Sequence, residues 1–314
     1  MKRDFINIKD LTPAEIKNIF ALTTKLKKGK ARISNELKGK SIGLIFQKSS
    51  NRTRVSFEVA ISQLGGNCIY LGPQEINLGK RETTADVART LSRYLDGIVA
   101  RTFTHKDIVE LAHTATIPVI NGLSDLSHPC QALADLFSIQ EKFGKLKGLT
   151  MAYVGDGNNV CNSLLMACSK VGMNFNVAAP PGEYELDKDL VSRAKVFAKE
   201  SGAVIKTTNS PQEAVKGVQV IYADTWISMG EEAEEKKRLE AFKNYQIDGK
   251  LASLADKNYI FMHCLPAHRG QEVTEEIIDG PHSIIFDEAE NRLHVQKAIL
   301  ISLYKNTKKT RGTK

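Results

Sequence analysis

The chain has 314 residues, of which 42% are apolar and 25% charged, with a net charge of +8. This length is enough for about two domains of ordinary size, each with its own core. No apolar run approaches the roughly 18 residues that a membrane span requires, and residues 1–16 lack the apolar centre of a secretory signal. The sequence therefore predicts a soluble, cytoplasmic globular protein.

Much of the excess positive charge is in two lysine-rich segments, residues 25–30 and 305–314. Neither segment has aromatic residues interleaved for base stacking, so the pattern favours a solvated surface over nucleic-acid binding. The five cysteines are scattered and include no Cys-x-x-Cys pair. The sequence thus predicts neither a disulfide framework nor a zinc site.

The predicted elements alternate along the chain. The first helix opens with Thr12 as N-cap, Pro13 at the first helical position and Glu15 three residues after the cap. In the first half, strands are predicted at 41–46, 67–71, 97–101 and 116–120, and helices near 53–64, 83–94, 105–114 and 129–143. In the second half, strands are predicted near 149–155, 174–180, 203–207, 218–224 and 259–265.

This alternation predicts an α/β fold of two domains, each with a mainly parallel central sheet flanked by helices. The glycine- and lysine-containing segment near 140–148 fits a boundary between residues 1–142 and residues 148–287. We expect a C-terminal helix near 288–306 to pack back on the first domain. Ligands of parallel sheets gather at the carboxyl ends of the strands, so the polar loops there predict an active site in the interdomain cleft.

The segment "SSNRTR" (49–54) follows the first predicted strand and precedes a helical pattern. A helix that begins here would direct unpaired N–H groups and the positive end of its dipole at a ligand in front of it. Arg52 and Arg54 could add forked donors that match phosphate or carboxylate. The segment predicts an anion site, and the alternative is an ordinary helix start with two solvated arginines.

Two further loops follow predicted strands and lead directly into predicted helices. In "HPCQ" (128–131), His128 could donate to a carbonyl oxygen and Gln131 could read an amine, although a capping or buried structural histidine is the alternative. In "GDGNN" (155–159), the third glycine of a dinucleotide fingerprint is replaced by Val160, which argues against a nicotinamide site. Asn158 and Asn159 could instead cap the helix or hold a ligand carboxylate.

Two loops of the second half carry the remaining candidates. "DTWISMG" (224–230) offers Asp224, a carboxylate suited to a substrate ammonium, and Ser228. In "HCLP" (263–266), Cys264 could be a nucleophile, but adjacent strand residues point to opposite faces, so His263 is badly placed to activate it. A buried, inert thiol is therefore the favoured interpretation.

Taken in order, "SNRTR", "HPCQ", "GDGNN", "DTWISMG", "HCLP" and the late "FDEAENRLHVQKAIL" resemble the carbamoyltransferase family over nearly the whole chain. The first two motifs are shared across that family. The "DTWISMG" and "HCLP" motifs distinguish its ornithine-specific branch, and both are intact. The resemblance implies transfer of the carbamoyl group of carbamoyl phosphate to the δ-amine of L-ornithine, without a cofactor or metal.

The resemblance also implies which residues bind carbamoyl phosphate. The phosphate would be held by the backbone from Ser50 to Arg54 and by side chains of that loop, while Thr53, Arg101 and His128 would donate to the carbamoyl oxygen. The carbamoyl amine would be held by Gln131 and by the main-chain carbonyls of Cys264 and Leu265. The complete implied set is Ser50, Asn51, Arg52, Thr53, Arg54, Asn77, Arg101, His128, Gln131, Cys264, Leu265 and Arg292.

For ornithine, the resemblance implies that Asn159 and the Met229 backbone meet the α-carboxylate, and that Asp224 and Ser228 meet the α-ammonium. Cys264 and Asp224 would lie near the δ-amine, which attacks the carbonyl directly without a covalent enzyme intermediate. The implied catalytic residues are Cys264, Arg101, His128 and Asp224. The family also implies a homotrimer or a multiple of trimers.

Two residues depart from the family pattern. Asn51 stands where well-known members carry threonine, and Asn77 stands where some carry a glutamine that reaches from a neighbouring subunit. Three rival functions stay open at this point. A putrescine carbamoyltransferase would not need the intact "SMG" loop, an aspartate carbamoyltransferase would need basic residues where "HCLP" stands, and an inactive carbamoyl phosphate-binding regulatory module would bind without turnover.

Overall fold

A computed structural model describes residues 2–29, 34–76, 78–79, 81–228 and 232–308. Asn77 and Met229, both named as candidate site residues, lie outside the described residues, as does the basic segment from 309 onward. Contacts divide the chain into two compact units. The first comprises the described residues up to Leu133 and from Glu290 onward, and the second is Ala134–Ala289. No helix of the described residues has the length and apolar character of a membrane span.

The first sheet is four-stranded and belongs to the first unit. Its order is β2–β1–β3–β4, with β1 (Ser41–Phe46), β2 (Asn67–Leu71), β3 (Gly97–Arg101) and β4 (Val119–Leu123). The helices up to this point are α1 (Pro13–Lys28), α2 (Asn51–Gln63), α3 (Pro73–Ile76), α4 (Thr84–Tyr94) and α5 (His105–Thr114), preceded by a 3₁₀ turn at Ile8–Asp10. Helix α6 (Pro129–Phe143) follows, and the chain enters the second unit within it.

The second sheet is five-stranded, in the order β7–β6–β5–β8–β9. Its strands are β5 (Thr150–Val154), β6 (Asn174–Ala178), β7 (Ile205–Thr208), β8 (Val220–Ala223) and β9 (Ile260–His263). Its helices are α7 (Asn159–Val171), α8 (Lys188–Ser201), α9 (Pro211–Val215), α10 (Glu235–Phe242), α11 (Gly249–Ala252) and α12 (Glu275–Ile278), with a 3₁₀ turn at Glu232–Glu234. The last helix, α13 (Ile285–Lys308), carries the chain back into the first unit.

Every strand pairing in both sheets is parallel, which confirms the predicted fold class. The central strands of parallel sheets are covered by other elements on both faces. Their sequences are therefore continuous apolar runs, without alternation of apolar and polar residues. Strand β1, "SIGLIF", is buried at every position after Ser41, whereas the edge strand β2 is only partly buried. Each sheet has its own apolar core.

The predicted start of α1 is confirmed at atomic detail. The Thr12 side chain accepts from the Glu15 N–H at 3.3 Å, and the Glu15 carboxylate accepts from the Thr12 N–H at 2.8 Å. This reciprocal pair satisfies two N–H groups that the helix itself leaves without acceptors.

The fourth strand lies further along the chain than predicted. It was expected at 116–120, but β4 begins after Pro118 and continues through Asn121 and Gly122 to Leu123. Asn121 is acceptable in a buried strand because its side chain donates to the Ile6 carbonyl at 3.0 Å. A Cβ at Gly122 would lie 3.2 Å from the Ala100 carbonyl oxygen, so a side chain there would require β3 to move by a few tenths of an ångström.

Each sheet reverses its winding direction at one point. In the first sheet this switch lies between β1 and β3, and in the second it lies between β5 and β8. Ligands of open α/β sheets bind beyond the carboxyl ends of the strands at such points. The loops there are residues 47–50 and Arg101 in the first unit, and residues 155–158 and Asp224 in the second.

Candidate active site

The first unit presents the N-terminus of α2 at its switch point. Ser50 is the N-cap of this helix, and its Oγ accepts from the Thr53 N–H at 3.2 Å. The first turn contains no acidic residue, so nothing in that turn opposes the positive end of the helix dipole. Asn51 is exposed and Arg52 is partly buried. This terminus has the arrangement of an anion site.

Four buried side chains with hydrogen-bonding groups gather behind this terminus. The Arg292 guanidinium donates from Nη2 to Thr53 Oγ1 at 2.8 Å, and both residues are buried. Burial and the nearby charges of Arg292 and Arg101 hold the pKa of His128 well below its usual range. The structure therefore brings Thr53, Arg101, His128 and Arg292 together, with His128 as a neutral imidazole that can donate from one ring nitrogen.

Helix α6 also carries Gln131, in the turn that follows His128. The Gln131 side chain is buried. The main chain of this turn is fixed by a hydrogen bond from the Ala132 N–H to the His128 carbonyl at 3.2 Å. The intervening Cys130 thiol lies 3.5 Å from the Asn121 carbonyl oxygen, and burial raises its pKa to about 12. Cys130 is thus a protonated, unreactive thiol beside the site.

Arg54 is engaged elsewhere. Its Nε donates to Glu58 at 2.8 Å, and its guanidinium lies 3.7 Å from the centre of the Tyr70 ring. Its main-chain N–H donates to the Ser50 carbonyl at 3.2 Å. The structure does not bring the Arg54 side chain to the group around Thr53, and a role for Arg54 in phosphate binding stays a prediction.

In the second unit, the switch point is organised around Asp224. This buried carboxylate accepts from the Cys264 thiol at 3.0 Å, from Asn158 Nδ2 at 2.8 Å and from the Thr225 N–H at 2.8 Å. Asn159 opens α7 next to Asn158, and Ser228 follows in the loop after Thr225. Three directed donors fix the orientation of the carboxylate.

Asn158 was considered only as a cap or a ligand-binding residue in the sequence, and the structure gives it a second task. Its Oδ1 accepts from the N–H groups of Val160 at 2.9 Å and Cys161 at 3.1 Å, which caps α7. Its amide nitrogen meanwhile holds Asp224. Because β5 and β8 pair up to Val154 and Ala223, the residues just beyond these strands are neighbours, and only the sheet order could have predicted this contact.

The Cys264 thiol is a hydrogen-bond donor here. Burial and the neighbouring carboxyl groups of Asp224 and Glu288 raise its pKa well above the usual range. His263 does not activate it, since His263 Nδ1 accepts from the Leu265 N–H at 2.9 Å and Nε2 lies 3.2 Å from Glu272. This agrees with the strand geometry that the sequence analysis used.

Asp224, His263 and Cys264 form the one group within the described residues whose possible metal-ligand atoms all lie within 4.8 Å of one another. Both ring nitrogens of His263 are hydrogen-bonded, and the protonated Cys264 thiol donates to Asp224. Metal binding would require the thiol to lose its proton and these bonds to break. The arrangement fits a hydrogen-bonded network better than a metal centre.

Two domain descriptions cover most of the chain. "Aspartate/ornithine carbamoyltransferase, carbamoyl-P binding domain" matches residues 3–141, and the description "Aspartate/ornithine carbamoyltransferase, Asp/Orn binding domain" matches residues 147–303. The chain belongs to the aspartate/ornithine carbamoyltransferase family. The resemblance found from the sequence motifs is thereby confirmed.

Individual family members are similar over nearly their full length. A Bacillus cereus protein named ornithine carbamoyltransferase is 52% identical over 304 residues, which are 97% of this chain and 95% of the relative. A Pyrococcus horikoshii protein of the same name is 52% identical, over 96% of this chain and 95% of its own. The solved structure of ornithine carbamoyltransferase from Pyrococcus furiosus has a TM-score of 0.92 and 50% identity, covering 95% of this chain and 96% of its own.

Proposed function

We propose that this protein is an ornithine carbamoyltransferase, which transfers the carbamoyl group of carbamoyl phosphate to the δ-amine of L-ornithine and releases citrulline and phosphate. The contact between Asp224 and the Cys264 thiol, at 3.0 Å, carries this proposal. This hydrogen bond brings "DTWISMG" and "HCLP", the two motifs that distinguish the ornithine branch, into one hydrogen-bonded group. The names of the relatives support the same reaction over the putrescine alternative.

We assign carbamoyl phosphate to the group at the start of α2. The phosphate fits the helix terminus at Ser50, Asn51 and Arg52, where free N–H groups and a guanidinium favour a dianion. Thr53, Arg101 and His128 would donate to the carbamoyl oxygen, and Gln131 would hold the amine. Donors fixed in place before the reaction stabilise the oxyanion that develops on attack without reorganising.

The neutral state of His128 fits this assignment. Arg101 and Arg292 already supply positive charge, so a histidinium would add repulsion. A neutral imidazole can donate one hydrogen bond to the carbonyl and keep the net charge of the site matched to the phosphate. Arg292 orients Thr53 through its hydrogen bond at 2.8 Å.

We assign ornithine to the loops around Asp224, with Asn159 and the Met229 main chain at its α-carboxylate and with Asp224 and Ser228 at its α-ammonium. With an amine pKa near 10.4, only about one ornithine molecule in a few thousand has a neutral δ-amine at pH 7. The reaction therefore requires selection of that form or removal of its proton. The neutral amine then attacks the carbamoyl carbon, the bond from that carbon to the phosphate oxygen breaks, and the departing phosphate takes the proton that the amine loses.

Cys264 is not a nucleophile in this proposal. A nucleophilic thiol requires a thiolate, and burial beside Asp224 holds the thiol in its protonated state. Attack by the amine is direct, and no covalent enzyme intermediate is needed. The main-chain carbonyls of Cys264 and Leu265 keep the role at the carbamoyl amine that the resemblance implies.

We further propose that the protein acts in the cytoplasm as a homotrimer or a multiple of trimers, as the family resemblance implies. Support comes from the partly buried edge strand β2 and the exposed apolar side chains of Ile69 and Val55, which a second subunit could cover. Light scattering at micromolar concentration measures the mass directly. A stable monomer of 34.7 kDa that turns over substrate would contradict the assembly.

The function is tested by offering ornithine, putrescine and aspartate in parallel with carbamoyl phosphate, following phosphate release and identifying the ureido product. We expect citrulline from ornithine at a far higher kcat/KM than either rival product. A preference for putrescine would mean that the loop around Asp224 does not recognise the α-ammonium and α-carboxylate groups of an amino acid. Binding of carbamoyl phosphate without turnover of any amine would support the regulatory module instead.

A further inference from the structure

Three buried side chains of the second unit meet near the end of β9. They are Asp135 from α6, Tyr222 from β8 and Glu288 from α13, and each is at most 1% exposed. The Tyr222 O–H lies 3.2 Å from Asp135 Oδ2 and 3.3 Å from Glu288 Oε1. None of these residues contributes to the assignments made above for either substrate.

The two carboxyl groups of this cluster are hydrogen-bonded to each other. Burial, the charge of Asp135 and a hydrogen bond between the two side chains raise the pKa of Glu288 well above its usual range. Two adjacent buried carboxylates repel each other strongly when both are ionised, so burial and the charge of Asp135 favour the protonated form of Glu288. One of its oxygens then donates to Asp135, and the other remains an acceptor.

That acceptor holds the main chain at the end of β9. The His263 N–H donates to Glu288 Oε2 at 3.0 Å. The next residue is Cys264, whose thiol donates to Asp224 Oδ1 at 3.0 Å. Leu265 follows in a left-handed conformation, with φ of 58°, which a residue other than glycine adopts only when its surroundings hold it. The position of the thiol thus depends on where the strand ends.

We propose that Glu288 is a positioning residue for carbamoyl transfer: by accepting the His263 N–H, it sets the end of β9 and keeps the Cys264 thiol on Asp224. This inference rests on the proposed function. A glutamine can replace the neutral carboxyl group with the same shape, because its carbonyl accepts from His263 and its amide donates to Asp135. Methionine has a similar length and can make neither hydrogen bond.

The test compares Glu288→Gln with Glu288→Met in the full chain. Two properties are measured: kcat and KM for ornithine, and the rate at which iodoacetamide alkylates Cys264, followed by mass spectrometry of the Cys264 peptide. Cys68, a partly buried thiol on β2 in the other unit, is the internal reference. Thermal unfolding shows that each variant is folded.

We expect Glu288→Gln to stay within about 3-fold of the wild type in both properties. Glu288→Met should lower kcat/KM for ornithine by about 10-fold or more and speed alkylation of Cys264, with Cys68 unchanged, because a buried N–H is left without its acceptor. Retention of activity by the isosteric amide is a rescue that a loss of general packing would not produce.

Either of two results would overturn the inference. One is a folded Glu288→Gln protein that loses as much activity as the methionine variant, which would mean that a carboxylate charge is needed. The other is a methionine variant that matches the wild type in both properties. If the methionine variant does not fold, the glutamine variant decides alone. A wild type without ornithine turnover would contradict the proposed function, and the alkylation rates would still test Glu288.

Discussion

The Cys264 thiol shows how surroundings decide the chemistry of a single residue. Reactive thiols have a lowered pKa because they lie beside cations or at helix N-termini. Cys264 lies beside the Asp224 carboxylate at the end of a strand, and its pKa is raised. The inert thiol that the sequence favoured is therefore also a hydrogen-bond donor that orients the Asp224 carboxylate.

We predict that Cys264→Ala slows turnover but leaves measurable activity. Loss of a hydrogen bond to a charged group is worth about 1.5–3 kcal/mol, which corresponds to roughly 10- to 100-fold in kcat/KM for ornithine. Cys264→Ser keeps a donor toward Asp224 and should lose less. Steady-state kinetics of both variants provide the measurement. Complete inactivity of a folded alanine variant, together with a carbamoyl thioester trapped on the wild type, would contradict direct attack.

His128 makes the stability of the ligand-free protein depend on pH. Its folded-state pKa lies well below 6.5, so the unfolded chain binds more protons as pH falls below about 6.5. The free energy of unfolding should therefore fall with decreasing pH in that window. Burial also lowers the pKa values of His105 and His294, which act in the same direction.

The contribution of His128 is isolated by comparing the wild type with His128→Gln in urea unfolding between about pH 7 and pH 5. We expect a shallower pH dependence in the variant, since glutamine does not titrate. Bound phosphate should also flatten the wild-type curve, because its charge opposes those of Arg101 and Arg292. Identical slopes in the wild type and the variant would show that His128 does not stay neutral.

At the level of elements, the start of α7 performs a structural and a functional task with one side chain. Asn158 Oδ1 satisfies two N–H groups of the first turn, and Nδ2 fixes Asp224 at the end of the neighbouring strand β8. Helix capping would explain an asparagine here without any ligand. Because Asn158 also donates from Nδ2 to Asp224, this position needs a side chain that has both an acceptor and a donor, as an amide does.

We predict that Asn158→Ala lowers the free energy of unfolding by about 1 kcal/mol and also raises KM for ornithine. Asp187→Ala is the matched control, because Asp187 caps α8 in the same unit through the Leu190 N–H at 2.9 Å. The control should lose similar stability with unchanged kinetics. Urea unfolding and ornithine saturation curves of both variants provide the comparison. Equal KM values would limit Asn158 to capping.

At the level of the whole molecule, each unit brings its candidate residues to the switch point of its own sheet. The first unit gathers donors and positive charge around Thr53, and the second gathers donors around a carboxylate, Asp224. These opposite polarities match an anionic acyl phosphate and a substrate ammonium. The family assignment and the two separate sheets agree with one substrate for each unit.

We therefore predict that carbamoyl phosphate alone stabilises the protein. A ligand that binds only the folded state adds about 2.7 kcal/mol at 100 times its Kd, which urea unfolding at 25 °C can measure. Arg292→Lys, which keeps the charge and loses the forked guanidinium, should reduce this gain. Arg89→Lys on the exposed face of α4 is the control. An equal gain in both variants would remove Arg292 from the site.

The local elements were predictable because their signals lie within a few residues. The first three strands and α6 have the predicted bounds, since buried parallel strands and amphipathic helices differ in the spacing of apolar residues. The fourth strand was predicted too early because the prediction followed the apolar run at 116–120. Its buried asparagine and close-packed glycine are acceptable only beside Ile6 and Ala100, which no local pattern reveals.

The sequence by itself determined the α/β class, the strand-end position of the polar motifs and the family, because each depends on short, ordered segments. Only the tertiary structure decided which of those residues meet. Thr53 and Arg292 are 239 positions apart, and two of the three partners of Asp224, Asn158 and Cys264, come from other loops. It also decided that Glu288 is neutral and Cys264 protonated, because a pKa depends on burial and neighbouring charge, which exist only after the chain has folded.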